Sequence, residues 1–109
     1  SEIVAGSGSD DLLDIIIRLT DAEVVVTATP TFGMYSFLGK INKASFDALP
    51  RAAWPSFAVD VDALLQKVAT HQKAGRRVLV FLASPNNPTG NILPRDALLR
   101  LLSAPVLVI

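Results

Sequence analysis

Three short segments carry the residue types from which a ligand site is built. Ser84-Pro85-Asn86-Asn87-Pro88-Thr89-Gly90 follows directly on the apolar run Val78 to Ala83. A β-branched, aromatic-containing run that empties into an Asn/Pro/Gly cluster reads as a buried strand ending in a tight loop, where α/β proteins place ligand chemistry. A side-chain amide there can donate to a ring oxygen while staying neutral, and prolines on either side fix the backbone that aims it. Gly6-Ser7-Gly8-Ser9-Asp10 connects a strand-like start to a helix-like stretch. Its glycines allow close approach of a ligand, and the opening amides of the helix suit an anion, a phosphate above all. Pro30-Thr31-Phe32-Gly33-Met34-Tyr35 follows a second strand and offers an aromatic ring to stack on a flat heterocycle.

Each segment alone also has a plainer reading. The glycine segment could be a flexible turn with Ser9 or Asp10 as helix N-cap, Phe32 and Tyr35 could pack into the core at helical spacing, and the asparagines could form an ordinary Asn-Pro turn. The glycine segment is neither a Walker loop, lacking Gly-Lys-Ser/Thr, nor a full dinucleotide fingerprint. Taken together, an anion nest, an aromatic plate and an amide donor at three strand ends describe a pocket for a phosphorylated aromatic cofactor.

The elements that must position these loops alternate along the chain. Asp10 to Thr20 reads as a helix with Asp11, Asp14 and Arg18 in one polar stripe and most of its surface buried. Glu23 to Ala28 reads as a strand stopped by Pro30, and Thr31 to Leu38 as a helix with Thr31 as N-cap. Ser45 to Leu49 is a short strand, and Pro50 to Phe57, carrying Trp54, is a loop. Asp60 to Ala74 is an amphipathic helix with Val61, Leu64, Leu65 and Val68 on one face. Arg77 to Ala83 is a strand, Pro94 to Ser103 a helix and Pro105 to Ile109 a final strand. Strands separated by helices imply crossover connections, hence an α/β fold with a mainly parallel sheet between two helical layers.

Composition narrows the function classes. The chain has 109 residues, 50% hydrophobic and 18% charged, with a formal net charge of zero, enough for a folded domain. Without a Lys/Arg block, neither nucleic acid nor an anionic membrane is the expected partner. The longest apolar runs fall far short of the roughly 20 residues needed to span a bilayer. There is no cysteine and only one histidine, His71, so no thiol nucleophile, disulfide or metal cluster is expected. His71 reads as a solvated helix-end residue, and Trp54 as a packed loop anchor. No signal peptide opens the chain, which favours a cytoplasmic protein. Strand-like runs at both ends, Glu2 to Ala5 and Pro105 to Ile109, suggest a piece of a larger protein.

Taken in order, Gly8-Ser9-Asp10-Asp11, Pro30-Thr31-Phe32-Gly33-Met34-Tyr35, Phe57-Ala58-Val59-Asp60 and Ser84 to Gly90 resemble the large domain of the fold-type I pyridoxal-phosphate aminotransferases. The Asn-Pro-Thr-Gly loop is shared by many of them, and the Met-Tyr form of the aromatic loop is similar to the histidinol-phosphate branch. The resemblance implies pyridoxal 5'-phosphate as cofactor, with its phosphate on the amides of Ser9 and Asp10, its ring on Phe32 and its phenolic oxygen on Asn87. It implies transamination between a small-molecule amino donor and a 2-oxo acid, namely histidinol phosphate with 2-oxoglutarate, by a homodimer. It also implies that these 109 residues are a partial large domain, inactive alone. The Asp-Glu-Ala-Tyr segment that pairs with the ring nitrogen, the Ser-Lys segment that supplies the Schiff-base lysine and the small C-terminal domain have no counterpart here. Lys40, Lys43, Lys67 and Lys73 match none of those positions. Two rivals stay open: another enzyme of this fold, such as a threonine-phosphate decarboxylase or an aromatic aminotransferase, and a non-catalytic phosphate-binding module of flavodoxin-like layout.

Overall fold

Val24, Val25 and Val26, none of them exposed to solvent, lie at the centre of a sheet covered on both faces. The computed structural model describes residues 3–109. Along it run α1 (Ser9–Leu19), β1 (Val24–Thr29), α2 (Met34–Ile41), β2 (Ser45–Pro50), α3 (Val61–Lys73), β3 (Val78–Val80), α4 (Arg95–Leu102) and β4 (Leu107–Val108). The strands form one sheet in the order β2-β1-β3-β4 with every neighbouring pair parallel. Parallel neighbours cannot be joined by a hairpin, so each crossover carries a helix.

The pleat sorts the apolar residues of the strands between two cores. Val25, Leu79 and Phe81 meet Ile17 of α1 with Tyr35 and Leu38 of α2, while Val24, Val26 and Val80 meet Val61, Leu64 and Val68 of α3 and Leu101 of α4. The result is the three-layer α/β/α arrangement that the alternation of elements predicts. Helix α3 begins where the sequence indicates, with the Asp60 carboxylate accepting from the Ala63 N–H at 3.0 Å.

Several local expectations are corrected. Ile3 to Ala5 form no strand, and Glu2 lies outside the described residues. Helix α1 starts at Ser9, and of its residues only Ile17 is fully buried, since one flank packs while Leu19 is 74% exposed. Helix α2 starts at Met34 with Gly33 as its N-cap, because the Thr31 hydroxyl is engaged elsewhere. Strand β3 pairs over three residues only, although the Phe81 and Leu82 amides still donate to Val26 and Ile109. Trp54 is 81% exposed on the 51–60 loop and belongs to neither core, so it is no packed anchor among the described residues.

Candidate functional site

In a parallel sheet every loop that leaves a strand emerges at the same rim. The segments after β1, β2 and β3 therefore share the carboxyl rim. Helix α1 is directed there too, since Ala22, just past its end, packs beside the start of β1, and Leu13, nearer its start, packs in the cluster that holds Phe32 and Ala83. Of the residues predicted to form the site, Ser9 and Asp10 open α1, Phe32 follows β1 and Asn87 follows β3. All four stand at this rim.

The start of α1 carries no side-chain cap. Its N-cap is Gly8, at φ 84° and ψ −178°, a left-handed backbone value that favours glycine, and no side chain supplies a hydrogen bond there. The first intrahelical bond is Leu12 N–H to the Gly8 carbonyl, which leaves the Ser9 and Asp10 amides uncommitted among the described residues. Neither Ser9 nor Asp10 is the N-cap. The Asp11 carboxylate is turned back onto the Ser7 amide at 2.8 Å, away from those donors. The arrangement can receive an anion.

Phe32 is half-buried, its ring edge-on to Tyr35 at a centroid separation of 5.6 Å, and Tyr35 stacks on Phe81 at 4.9 Å. Tyr35 belongs to the core, where burial pushes its phenol up and the charge of nearby Arg51 opposes that shift in part. Phe32 precedes α2 and is held from one side by this aromatic stack.

The two adjacent asparagines have opposite fates. Asn86 is 3% exposed, and its amide donates to the Pro30 carbonyl at 3.0 Å and to Thr89 Oγ1 at 2.6 Å, while its oxygen accepts from Thr31 Oγ1 at 2.7 Å. Asn87 is exposed, and its side chain makes no hydrogen bond among the described residues. Motif reading singles out Asn87 and misses Asn86. Asn87 opens the turn 87–89 with its side chain outside, while Asn86 just before it is turned inward by partners as distant as Pro30 and Thr31, so no local pattern separates the two.

A fourth loop, 51–58, also stands on the rim. The Phe57 carbonyl accepts from Asn91 Nδ2 at 3.2 Å and from Arg51 Nη1 at 3.2 Å, and Arg51 Nε reaches the Ala28 carbonyl at 3.2 Å. Sequence reading assigned Arg51 no role.

A different cluster lies away from the rim, between β2 and α3. Asp47 accepts from Lys67 Nζ at 2.6 Å and meets His71 Nε2 at 2.7 Å beside an open cavity of about 430 Å³. His71 is thus paired and partly covered, not solvated, because α3 lays it across the edge strand. Burial is the largest influence on Asp47 and pushes its carboxyl up, but the hydrogen bonds and charges of Lys67 and His71 together hold it below its ordinary value. Among the described residues no group of acidic, His or Cys side chains could hold a metal, and no helix is long and apolar enough to cross a membrane.

Comparison with known proteins agrees with the fold. The family model for aminotransferases of class I and II matches residues 1–106. The chain is 40% identical over 109 residues to a chloroplastic histidinol-phosphate aminotransferase of Nicotiana plumbaginifolia, covering 98% of this chain and 25% of that protein. It is 42% identical over 108 residues to the histidinol-phosphate aminotransferase of Roseiflexus castenholzii, covering 97% and 28%. Among solved structures, that of histidinol-phosphate aminotransferase from Sinorhizobium meliloti in complex with pyridoxal-5'-phosphate superposes with a TM-score of 0.75 at 26% identity, over 94% of this chain and 28% of that one. The chain spans about a quarter of the length of these curated relatives.

Proposed function

The chain belongs to the class I and II aminotransferases, and from that membership we propose that it is the cofactor-holding part of a pyridoxal-phosphate-dependent aminotransferase. The observation that carries the reading is the meeting, at one rim, of uncommitted helix amides, a ring held from one side and an unspent amide donor. Pyridoxal phosphate has one feature for each: a phosphate, a flat pyridine ring and a phenolic oxygen. The donor set fits the group, since Gly8 keeps the approach to α1 open and Asp11 is engaged with Ser7.

Backbone N–H groups of Ser9 and Asp10 hold the phosphate with the positive end of the α1 dipole behind them. Phe32 takes one face of the ring and fixes its plane. Asn87 donates to the phenolic oxygen and favours its anionic form without adding charge to the site. When bound, the cofactor supplies a conjugated ring that accepts electron density while an amino group passes between donor and 2-oxo acid. These residues orient and polarise; none of them transfers the proton.

Histidinol phosphate with 2-oxoglutarate, giving imidazole acetol phosphate and glutamate, is the reaction we assign, supported by the names of relatives at about 40% identity. The residues that read the imidazole, the lysine that bonds the cofactor, the rest of the large domain and the small domain fall, on this reading, outside these 109 residues. The complete enzyme is a cytoplasmic homodimer on the same reading, without nucleic-acid or membrane partners.

The test is the visible absorbance of the bound cofactor in the complete enzyme, followed against pH. Removing a donor from an oxygen that becomes anionic raises the pH at which it titrates. Asn87→Ala is therefore expected to raise the midpoint by about one unit, the size of one charge-assisted hydrogen bond. A midpoint that does not move would remove Asn87 from the site. Turnover with a different amino donor only, and none with histidinol phosphate, would shift the assignment to a sister enzyme.

A further inference from the structure

We propose that Asn86 is a positioning residue that locks the Asn87 amide and the Phe32 loop into one unit, an inference that rests on the cofactor reading above and deepens it. A buried carboxamide must place its donors and its acceptor. Asn86 directs both donors and its oxygen into the two loops concerned: Pro30 carbonyl at 3.0 Å, Thr89 Oγ1 at 2.6 Å and Thr31 Oγ1 at 2.7 Å. Its backbone closes the same loop, with its N–H donating to the Asn91 carbonyl at 2.9 Å and its carbonyl accepting from Gly90 N–H at 2.7 Å.

The donor directions are consistent beyond Asn86. Thr89 Oγ1 accepts from Asn86 and donates its own hydrogen bond to Asn91 Oδ1, and Asn91 Nδ2 donates to the Phe57 carbonyl at 3.2 Å. Arg51 donates to that same carbonyl and to the Ala28 carbonyl, both at 3.2 Å. One polar relay thus runs from the loop before Phe32, through the loop that presents Asn87, to the end of β1. No other side chain of this length replaces Asn86: aspartate has no donor for the Pro30 carbonyl, and leucine has neither donor nor acceptor. Its neighbour Asn87, left outside the relay, keeps its amide for a ligand while the backbone of Asn86 next to it is bonded to Asn91 and Gly90.

A purely structural Asn86 would affect stability and leave the cofactor's electronic state alone. A positioning Asn86 acts through Asn87, and the two effects must then be coupled. The test uses the complete holoenzyme and four single variants, Thr31→Val, Thr31→Ser, Asn86→Asp and Asn87→Ala, with the double variant Thr31→Val/Asn87→Ala. The readouts are the pH midpoint of the cofactor's absorbance, its dissociation constant by equilibrium dialysis and the thermal midpoint of the apoprotein.

Thr31→Val is isosteric and deletes only the hydroxyl that faces Asn86. It should raise the absorbance midpoint in the same direction as Asn87→Ala and weaken cofactor binding about fivefold, with Thr31→Ser restoring both. Asn86→Asp should do the same, more strongly. In the double variant the midpoint should move no further than with Asn87→Ala alone, because no amide remains to be aimed. Additive shifts, or a thermal midpoint that falls while the absorbance midpoint stays fixed, would overturn the proposal. A shift with Asn87→Ala and none with Thr31→Val would overturn the positioning role and leave the cofactor assignment standing; no shift with Asn87→Ala would overturn the assignment itself.

Discussion

Asp47 shows how a single carboxylate is tied to its surroundings. Burial alone would raise its pKa, yet Lys67 and His71 together depress it. A group whose folded pKa lies below its unfolded value contributes stability above the unfolded value and loses it as pH falls through the folded one. Asp47→Asn is therefore expected to lower stability at neutral pH, by about 1 kcal/mol or less for a partly exposed pair, and to lose that difference in acid. Chemical denaturation of both proteins across the acidic range checks the sign; a deficit that persists below the titration range would contradict it. The two asparagines mark the limit of reading residues singly. Both are Asn in a Pro-flanked loop, but only the fold spends Asn86 on Pro30, Thr31 and Thr89 and leaves Asn87 exposed. His71 illustrates the same limit, since its pairing with Asp47 joins α3 to β2.

At the scale of elements, α3 was the most legible. Val61, Leu64 and Val68 recur at helical spacing and all three are buried in the core beneath β1 and β3. Leu64 is fully buried among apolar neighbours. Leu64→Ala is expected to cost about 2–5 kcal/mol, the range for emptying such a site, and urea unfolding measures it. A loss below about 1 kcal/mol would mean that the layer collapses freely around the gap. Helix α2 was less legible, because its first three expected residues carry no periodic signal and Thr31 is a good N-cap by type. The choice between capping α2 and bonding to Asn86 is settled 55 residues away in sequence. The Leu and Ile content of α1 predicts a largely buried helix, but one flank packs against the sheet and α2 while Leu19 faces solvent.

Across the whole molecule, strand order decides where chemistry can occur. Helices α2 and α3 run from the carboxyl rim back to the start of the next strand, which carries Lys40 and Lys73, in their last turns, and Lys43 to the opposite end of the sheet. Lys67 is bonded to Asp47 on the edge. None of the four lysines stands beside Ser9, Phe32 and Asn87. Mixed with pyridoxal phosphate and reduced with borohydride, the 109-residue chain is expected to show no stoichiometric single-lysine adduct by mass spectrometry. A full adduct at one lysine would overturn this placement. The sequence by itself determined the α/β class, the parallel sheet and the position of the three loops, before α1, after β1 and after β3, for which a ligand role is proposed, because apolar periodicity and turn residues act over a few neighbouring positions. Tertiary structure alone decided the order β2-β1-β3-β4, which asparagine is buried and which is free, and the relay from Pro30 to Arg51. Those outcomes depend on hydrogen bonds between residues up to 56 positions apart, and no local pattern encodes which distant donor a buried acceptor will meet.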